Sequence, residues 1–564
     1  MKAGLRVRVT VLVAVAGLAA ALAGLLAPVA AAQSSGAEMD AAALQKVLAA
    51  QALPTLESLP VTATSHPFNG AQWQNVPIDL AKHGYVEDEY LVSGTSNVYD
   101  WVAGTDYHTR ILRSGPYTTR ILVRRPADMS TWSGRVVVEM INTSAGYDWT
   151  AIWSALWQRL LAKHDVYVGM TAKASVFPAL QAFDGERYAR LAMANPLPAE
   201  QQAAGTTPGD ADYDANFSRS YENGLTWDMA TQLGRLLKSP GRANPLGRAA
   251  KLVVLSGESQ QGNWLVSYYK WFTPAAYLAA GRPIFDGYLA ECFTDSDPQT
   301  PYYPGTSTID VPLFVTWPIN QTAPITDPLP AGDAQLGWVP ARPVPWIALN
   351  SQWEYAAARG FAQPKSYVTR SHKAVFWQLA GCNHGWTWQY LYGDACAADL
   401  LKIGFWDPAS YDWVCTVDNP EVPLYMAEKA AYEDLVTWIR EGTPPPRPAN
   451  IVSKPDDPSV GIGIFRDAPV YDGNGNALGG LRLPMVAVPI ASFGKGNYML
   501  TAPSGLAEIV PFTSEVLDGL YSSKADYVAR YSAVADRLVK QRYLLRSDAR
   551  ELVAQAKKVT AFSD

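Results

Sequence analysis

The hydrophobic and polar positions change period several times along the chain. Val9–Leu26 is almost wholly apolar, and Lys2, Arg6 and Arg8 precede it. Residues 33–55 are rich in Ala, Ser and Gln, which predicts a loose leader or a single surface helix. Strand-like runs follow at Tyr85–Val92 and Thr118–Arg124. Arg135–Asn142 (RVVVEMIN) is a continuous β-branched run, the pattern of a strand buried on both faces. Trp149–Lys163 reads as a helix, with Trp149, Trp153 and Trp157 on one core-facing stripe. Val166–Thr171 is strand-like, and 220–238 has helical periodicity. Lys251–Ser256 is strand-like, with a helix from about Gly262. Phe285–Glu291, Trp346–Asn350 and Ala374–Ala380 read as three more strands. Strands alternating with helices imply right-handed crossovers and an α/β architecture with a mostly parallel sheet.

Two polar, proline-bearing stretches interrupt this rhythm, near 183–220 and near 293–345. Loops of that length in a domain are usually binding loops or lids. Thr443–Pro448 (TPPPRP) ends a helix in a rigid connection. Beyond it, turns and short strands give way to a helical end from about residue 523. Asp472, Asn474 and Asn476 resemble the start of a calcium loop. The twelfth position is Leu483 rather than glutamate, so a turn is the simpler reading. The expected division is a leader at 1–32, a short segment at 33–58, a catalytic domain at 59–449 with the two insertions, and an extension at 450–564.

Composition narrows the classes. With 48% hydrophobic and 17% charged residues the chain can bury a large core. A net charge of -6 argues against nucleic acid as a partner. The basic start, apolar run and Ala30-Ala31-Ala32 site have the form of a secretory signal peptide, with an uncleaved anchor as the alternative. Cleavage implies a secreted protein with no stable membrane insertion. Export puts Cys292, Cys382, Cys396 and Cys415 in a disulfide-permissive compartment. Cys396–Cys415 is the favoured pair, leaving Cys292–Cys382, against the alternative of buried free thiols. Cys382-x-His384 stands alone as a ligand spacing, so no zinc site is expected.

The chemistry centres on Gly257-Glu258-Ser259-Gln260-Gln261-Gly262, between a strand and a helix. A serine on a sharp strand-to-helix turn exposes its hydroxyl above the sheet, beside the helix's unpaired N–H groups. The second glycine falls one place later than in G-x-S-x-G. A triad on this architecture runs in the order Ser, acid, His, each after a later strand. Of six histidines, His372 and His384 follow Ser259. His372 precedes the strand 374–380, whereas His384 lies beyond its carboxyl end, where parallel sheets carry their sites. Glu354, the first carboxylate after Trp346–Asn350, is the acid candidate; Glu291, Asp295 and Asp297 are rivals. The Gln260 N–H and one from the loop after residue 142, Ser144 first and Thr143 second, are candidate oxyanion donors. Trp353, Trp386 and Tyr147 are candidate substrate-binding residues, with core packing the alternative for each.

In order along the chain, several segments resemble a family of alpha/beta hydrolase domain-containing proteins with a G-x-S-Q-x-G elbow. They are Gly84–Gly94 (GYVEDEYLVSG), Val136–Asn142 with Gly146 and Asp148, Ser259-Gln260, and Ala380-Gly381 with His384. Gly442–Pro446 (GTPPP), Gly475–Pro484 (GNALGGLRLP) and Ala525–Arg530 (ADYVAR) complete the set. The family often has a small residue before its histidine, where this chain has Asn383. The resemblance implies an α/β-hydrolase fold, a serine hydrolase mechanism, and a tail packed on the hydrolase.

The expected activity is hydrolysis of a small-molecule or oligomeric ester through an acyl-enzyme on Ser259, with no metal or organic cofactor required. A peptidase or amidase using the same residues, and an inactive hydrolase-fold binding protein, are the alternatives.

Overall fold

The two strand-like runs before residue 126 are the halves of one long hairpin. A computed structural model describes residues 36–102, 107–198, 221–292, 342–352, 354, 366–384, 387–404, 421–454, 468–493 and 509–562. The sheet strands are β1 (Thr55–Ser58), β2 (Tyr85–Trp101), β3 (Thr109–Pro126), β4 (Arg135–Ile141) and β5 (Val166–Thr171). They continue with β6 (Leu252–Glu258), β7 (Gly287–Glu291), β8 (Trp346–Ser351), β9 (Tyr367–Val368) and β10 (Lys373–Leu379). The order across the sheet is β1-β2-β3-β5-β4-β6-β7-β8-β10-β9. From β5 to β10 the neighbours run parallel, and antiparallel strands flank them on both sides. This is an α/β-hydrolase fold.

Every residue of β5, β6 and β7 is buried, the apolar runs together with Glu258 and Glu291 at the carboxyl ends of β6 and β7. Successive side chains point to opposite faces. Val136, Val138, Val253 and Leu255 pack on one side, with Trp227 and Trp264 from the helices Thr226–Leu237 and Gln260–Ser267. Val137, Leu252 and Val254 pack on the other, with Trp153 from Ala151–Ala162 and Leu435 from Leu424–Glu441.

Described segments before and after the sheet are part of this fold. Ala41–Ala50, expected as a loose leader or surface helix, is a helix that buries Leu44 and Leu48, and β1 then pairs with β2. In the tail, the Leu481 N–H donates to the Gln378 carbonyl and the Ala380 N–H to the Leu481 carbonyl. Leu538 and Leu552, from the helices Lys524–Lys540 and Arg546–Ala556, join the second core. Asp472 heads a tight turn, its N–H bonded to the Asn476 carbonyl and its carboxylate to Arg482 at 2.6 Å.

The cysteines depart from expectation. Cys292, Cys382 and Cys396 are free thiols. Cys382 Sγ turns to the Asn383 and Val422 carbonyls, both 3.5 Å away, while Cys292 faces the sheet edge. Cys415, the leader 1–32 and most of both insertions lie outside the described residues. Among the described residues no helix is long and apolar enough to cross a membrane.

Candidate active site

The strand β6 runs two residues further than its apolar pattern suggests, carrying Glu258 to the brink of the turn. Ser259 follows at φ 54°, ψ −119°. For a residue with a Cβ this conformation costs about 1–3 kcal/mol and persists only where the surroundings impose it. Here the Ser259 N–H donates to the Glu291 carbonyl at the end of β7, at 2.9 Å, and the helix begins at Gln260. A Cβ on Gly257 would stand 2.6 Å from the Gln261 carbonyl oxygen, so only glycine lets the helix fold back this tightly.

His384 arrives from the loop after β10. Its Nε2 is 3.0 Å from Ser259 Oγ. Its Nδ1 bonds Glu354 Oε1, and Glu354 Oε2 accepts the Ser351 N–H at 2.7 Å. The two loops are tied together by the Gly381 N–H, which donates to Gln352 Oε1 at 2.6 Å. Burial opposes a charged imidazole, yet the charge and hydrogen bond of Glu354 and the charge of Glu258 outweigh it, and the pKa of His384 is raised. The structure thus brings Ser259, His384 and Glu354 into one hydrogen-bonded line.

The rival positions fall elsewhere. Glu291 is buried, and its carboxyl faces Glu428, so burial and the Glu428 charge raise its pKa far above the carboxylate range. Asp295 and Asp297 lie outside the described residues. His372 stacks on Tyr367 with ring centroids 3.7 Å apart, at the opposite end of β10.

Gln260 opens the helix, so its N–H has no intrahelical acceptor. Thr143 Oγ1 donates to Gln260 Oε1 at 3.0 Å, which holds the loop after β4 against the elbow. The Ser144 N–H, the first candidate for the second oxyanion donor, is committed to Asn142 Oδ1 at 2.7 Å. Tyr147 is buried, its hydroxyl donating to Asp394 Oδ1 at 2.9 Å and its ring edge-on to Phe68. Trp353 and Trp386 lie outside the described residues.

Three side chains at this edge escaped the sequence reading. Glu258 is buried, lies 3.9 Å from His384 Nε2, and accepts from Asn142 Nδ2 at 2.5 Å. Burial pushes its pKa up to about 7, against the lowering effects of the His384 charge and the Asn142 bond. Its place directly before Ser259 was a signal within reach. Asn142 and Cys292 carried no such signal, since only the pairing of β4, β6 and β7 brings them here.

The alpha/beta hydrolase domain family matches residues 53–554. No curated protein matches the chain. Among solved structures, a thermostable esterase from Pseudomonas putida is 14% identical, over 66% of this chain and 88% of that one, with a TM-score of 0.30. Acetyl xylan esterase 1 from Thermoanaerobacterium is 12% identical, over 44% of this chain and 56% of that one, with a TM-score of 0.22.

Proposed function

The chain belongs to the alpha/beta hydrolase domain family, and from that premise we propose that it is an exported serine esterase. The observation that carries this reading is the line Ser259 Oγ, His384 Nε2, His384 Nδ1, Glu354 Oε1 at the carboxyl edge of a parallel sheet. His384 takes the proton of Ser259 as Oγ attacks the ester carbonyl. Glu354 holds the imidazole tautomer and stabilises its protonated form. The Gln260 N–H is one oxyanion donor. The loop after β4 supplies the other, and Thr143 is the better placed candidate because the Ser144 amide already has an acceptor. Collapse of the tetrahedral intermediate expels the alcohol, with the His384 proton. Water, activated by the same imidazole, then releases the acid.

Two features support the strained serine as a nucleophile rather than an incidental turn. Its backbone conformation is imposed by the glycine packing and the β7 bond, and its hydroxyl has a base within hydrogen-bond reach. The basic and apolar leader supports export. Fluorophosphonate labelling together with p-nitrophenyl ester turnover tests the assignment. Ser259→Ala is expected to abolish labelling and to lower kcat by about a millionfold. Labelling that persists in Ser259→Ala would sink it.

A further inference from the structure

We propose that Glu258, Cys292 and His384 together form an inhibitory site for a zinc-class divalent cation, which takes the base of the triad out of action when bound. Each residue offers one ligand atom, and these atoms lie within 4.8 Å of one another. A tetrahedral zinc with bonds of about 2.0–2.3 Å holds its donors roughly 3.3–3.8 Å apart. The His384 Nε2 to Glu258 Oε1 separation is already 3.9 Å. Closing the third ligand onto a metal therefore needs a side-chain shift of about 1 Å or less.

The chemistry of the donor set selects the cation. A thiolate, an imidazole nitrogen and one carboxylate suit a borderline-soft ion such as Zn²⁺, not Mg²⁺ or Ca²⁺, which take oxygen. The outer shell is also in place. His384 Nδ1 is held by Glu354, which leaves Nε2 as the ligating nitrogen, the carboxylate–histidine–metal arrangement of zinc sites. Asn142 Nδ2 orients the Glu258 carboxyl in the same way.

The acids around Cys292 supply negative charge for a cation, and loading the site costs the thiol its proton. Burial, with the charges of Glu354, Glu291 and Glu258, holds the Cys292 thiol protonated, its pKa well above the ordinary thiol value. A dication reverses that balance. Binding releases the Cys292 proton, and any proton on Glu258 or on His384 Nε2, to solvent, and exchanges aquo ligands of the ion for one Zn–S, one Zn–N and one Zn–O bond. Water takes the fourth position. The Nε2 lone pair is then engaged, and Ser259 loses its proton acceptor.

Only the inhibition part of the test rests on the esterase reading. Cobalt(II), added to the full-length protein, reports the site without turnover through thiolate-to-cobalt charge-transfer absorption in the near ultraviolet. The band is expected in the wild type and in Ser259→Ala, and is lost in Cys292→Ala. Glu258→Gln, a second variant, is expected to weaken cobalt binding about tenfold or more. In ester assays zinc should inhibit the wild type reversibly on EDTA addition. Cys292→Ala should need at least about tenfold more zinc while its zinc-free kcat/KM stays within about twofold. A wild type with no thiolate band, or zinc inhibition unchanged in Cys292→Ala, overturns the proposal. A band without any ester turnover supports the metal site and counts against the esterase reading alone.

Discussion

Carboxyl groups are buried or nearly so in two regions of this protein and meet different neighbours there. At the hairpin end, Glu89 lies between Arg120 at 2.6 Å and Arg187 at 2.5 Å. Asp148 meets Arg120 at 2.8 Å, and Glu87 meets Arg124 at 2.5 Å. Below Ser259, Glu139, Glu258, Glu291 and Glu428 lie on β4, β6, β7 and the helix Leu424–Glu441, near enough to feel one another's charge. Burial pushes Glu139 to about 8 and Glu258 to about 7. Glu291 and Glu428 are likewise raised well above the carboxylate range, by burial and by the charges of neighbouring acids. In the first region guanidinium groups answer the charge, so the carboxylates act as ties between strands and loops. Asp148 shows the limit of that answer, since burial still leaves its pKa above normal against the pull of Arg120. In the second region neutral donors answer the charge: Glu139 accepts from the Ile152 and Trp153 N–H groups and the Tyr167 hydroxyl, Glu258 from Asn142, and burial still favours the protonated acids.

The comparison breaks most easily at Arg120. Arg120→Ala strips Glu89 and Asp148 of a buried partner, and a loss of about 3–5 kcal/mol is expected in urea unfolding. A loss below about 1 kcal/mol would mean that the hairpin network is not a structural tie.

The second contrast is in pH. For the four stacked acids the folded-state pKa lies above the unfolded one, so the folded protein keeps protons that the unfolded chain releases. Their contribution to stability is complete below about pH 4.5, and for Glu139 and Glu258 it is lost as pH rises through about 7 to 8. The urea midpoint of the wild type should therefore fall between about pH 5 and pH 8. Glu428→Gln, which puts a neutral amide in the pair, should make that fall shallower. An unchanged slope would show that Glu291 and Glu428 do not hold protons in the folded state.

The smallest effect is the one closest to the chemistry. The Glu258 charge favours protonated His384, so Glu258→Gln should move the acid limb of the kcat/KM profile to lower pH, by less than about one unit. A limb that stays in place would leave Glu258 as a structural residue only.

Much of this was legible beforehand. The β-branched runs located β4 and β5 almost to the residue, and burial on both faces follows from them directly. Ser259, Glu354 and His384 could be singled out because a parallel sheet puts loop residues after successive strands at one edge. The edge strand β1 was not legible, because its pairing partner Tyr90–Ser93 lies more than thirty residues away in β2. The cysteine pairing also failed as an expectation. Closeness in sequence favoured Cys396–Cys415 and left Cys292–Cys382, yet Cys292, Cys382 and Cys396 are free thiols, and Cys382 Sγ turns to the Asn383 and Val422 carbonyls.

By itself the sequence determined where the parallel strands and the helices between them lie, the strand-to-helix turn at Ser259, and the chain order of Ser259, Glu354 and His384. These depend on local periodicity and on the residues next to each position. Only the tertiary structure decided that Glu354, not Glu291, bonds the imidazole, that the Ser144 amide is already taken, and that Glu258 and Cys292 both face His384. Those facts depend on register between strands far apart in sequence. The register aligns Glu258 with Glu291, and Cys292 follows directly. A side chain's charge state and partners are set by what the sheet brings within a few ångströms, and no local pattern encodes that distance.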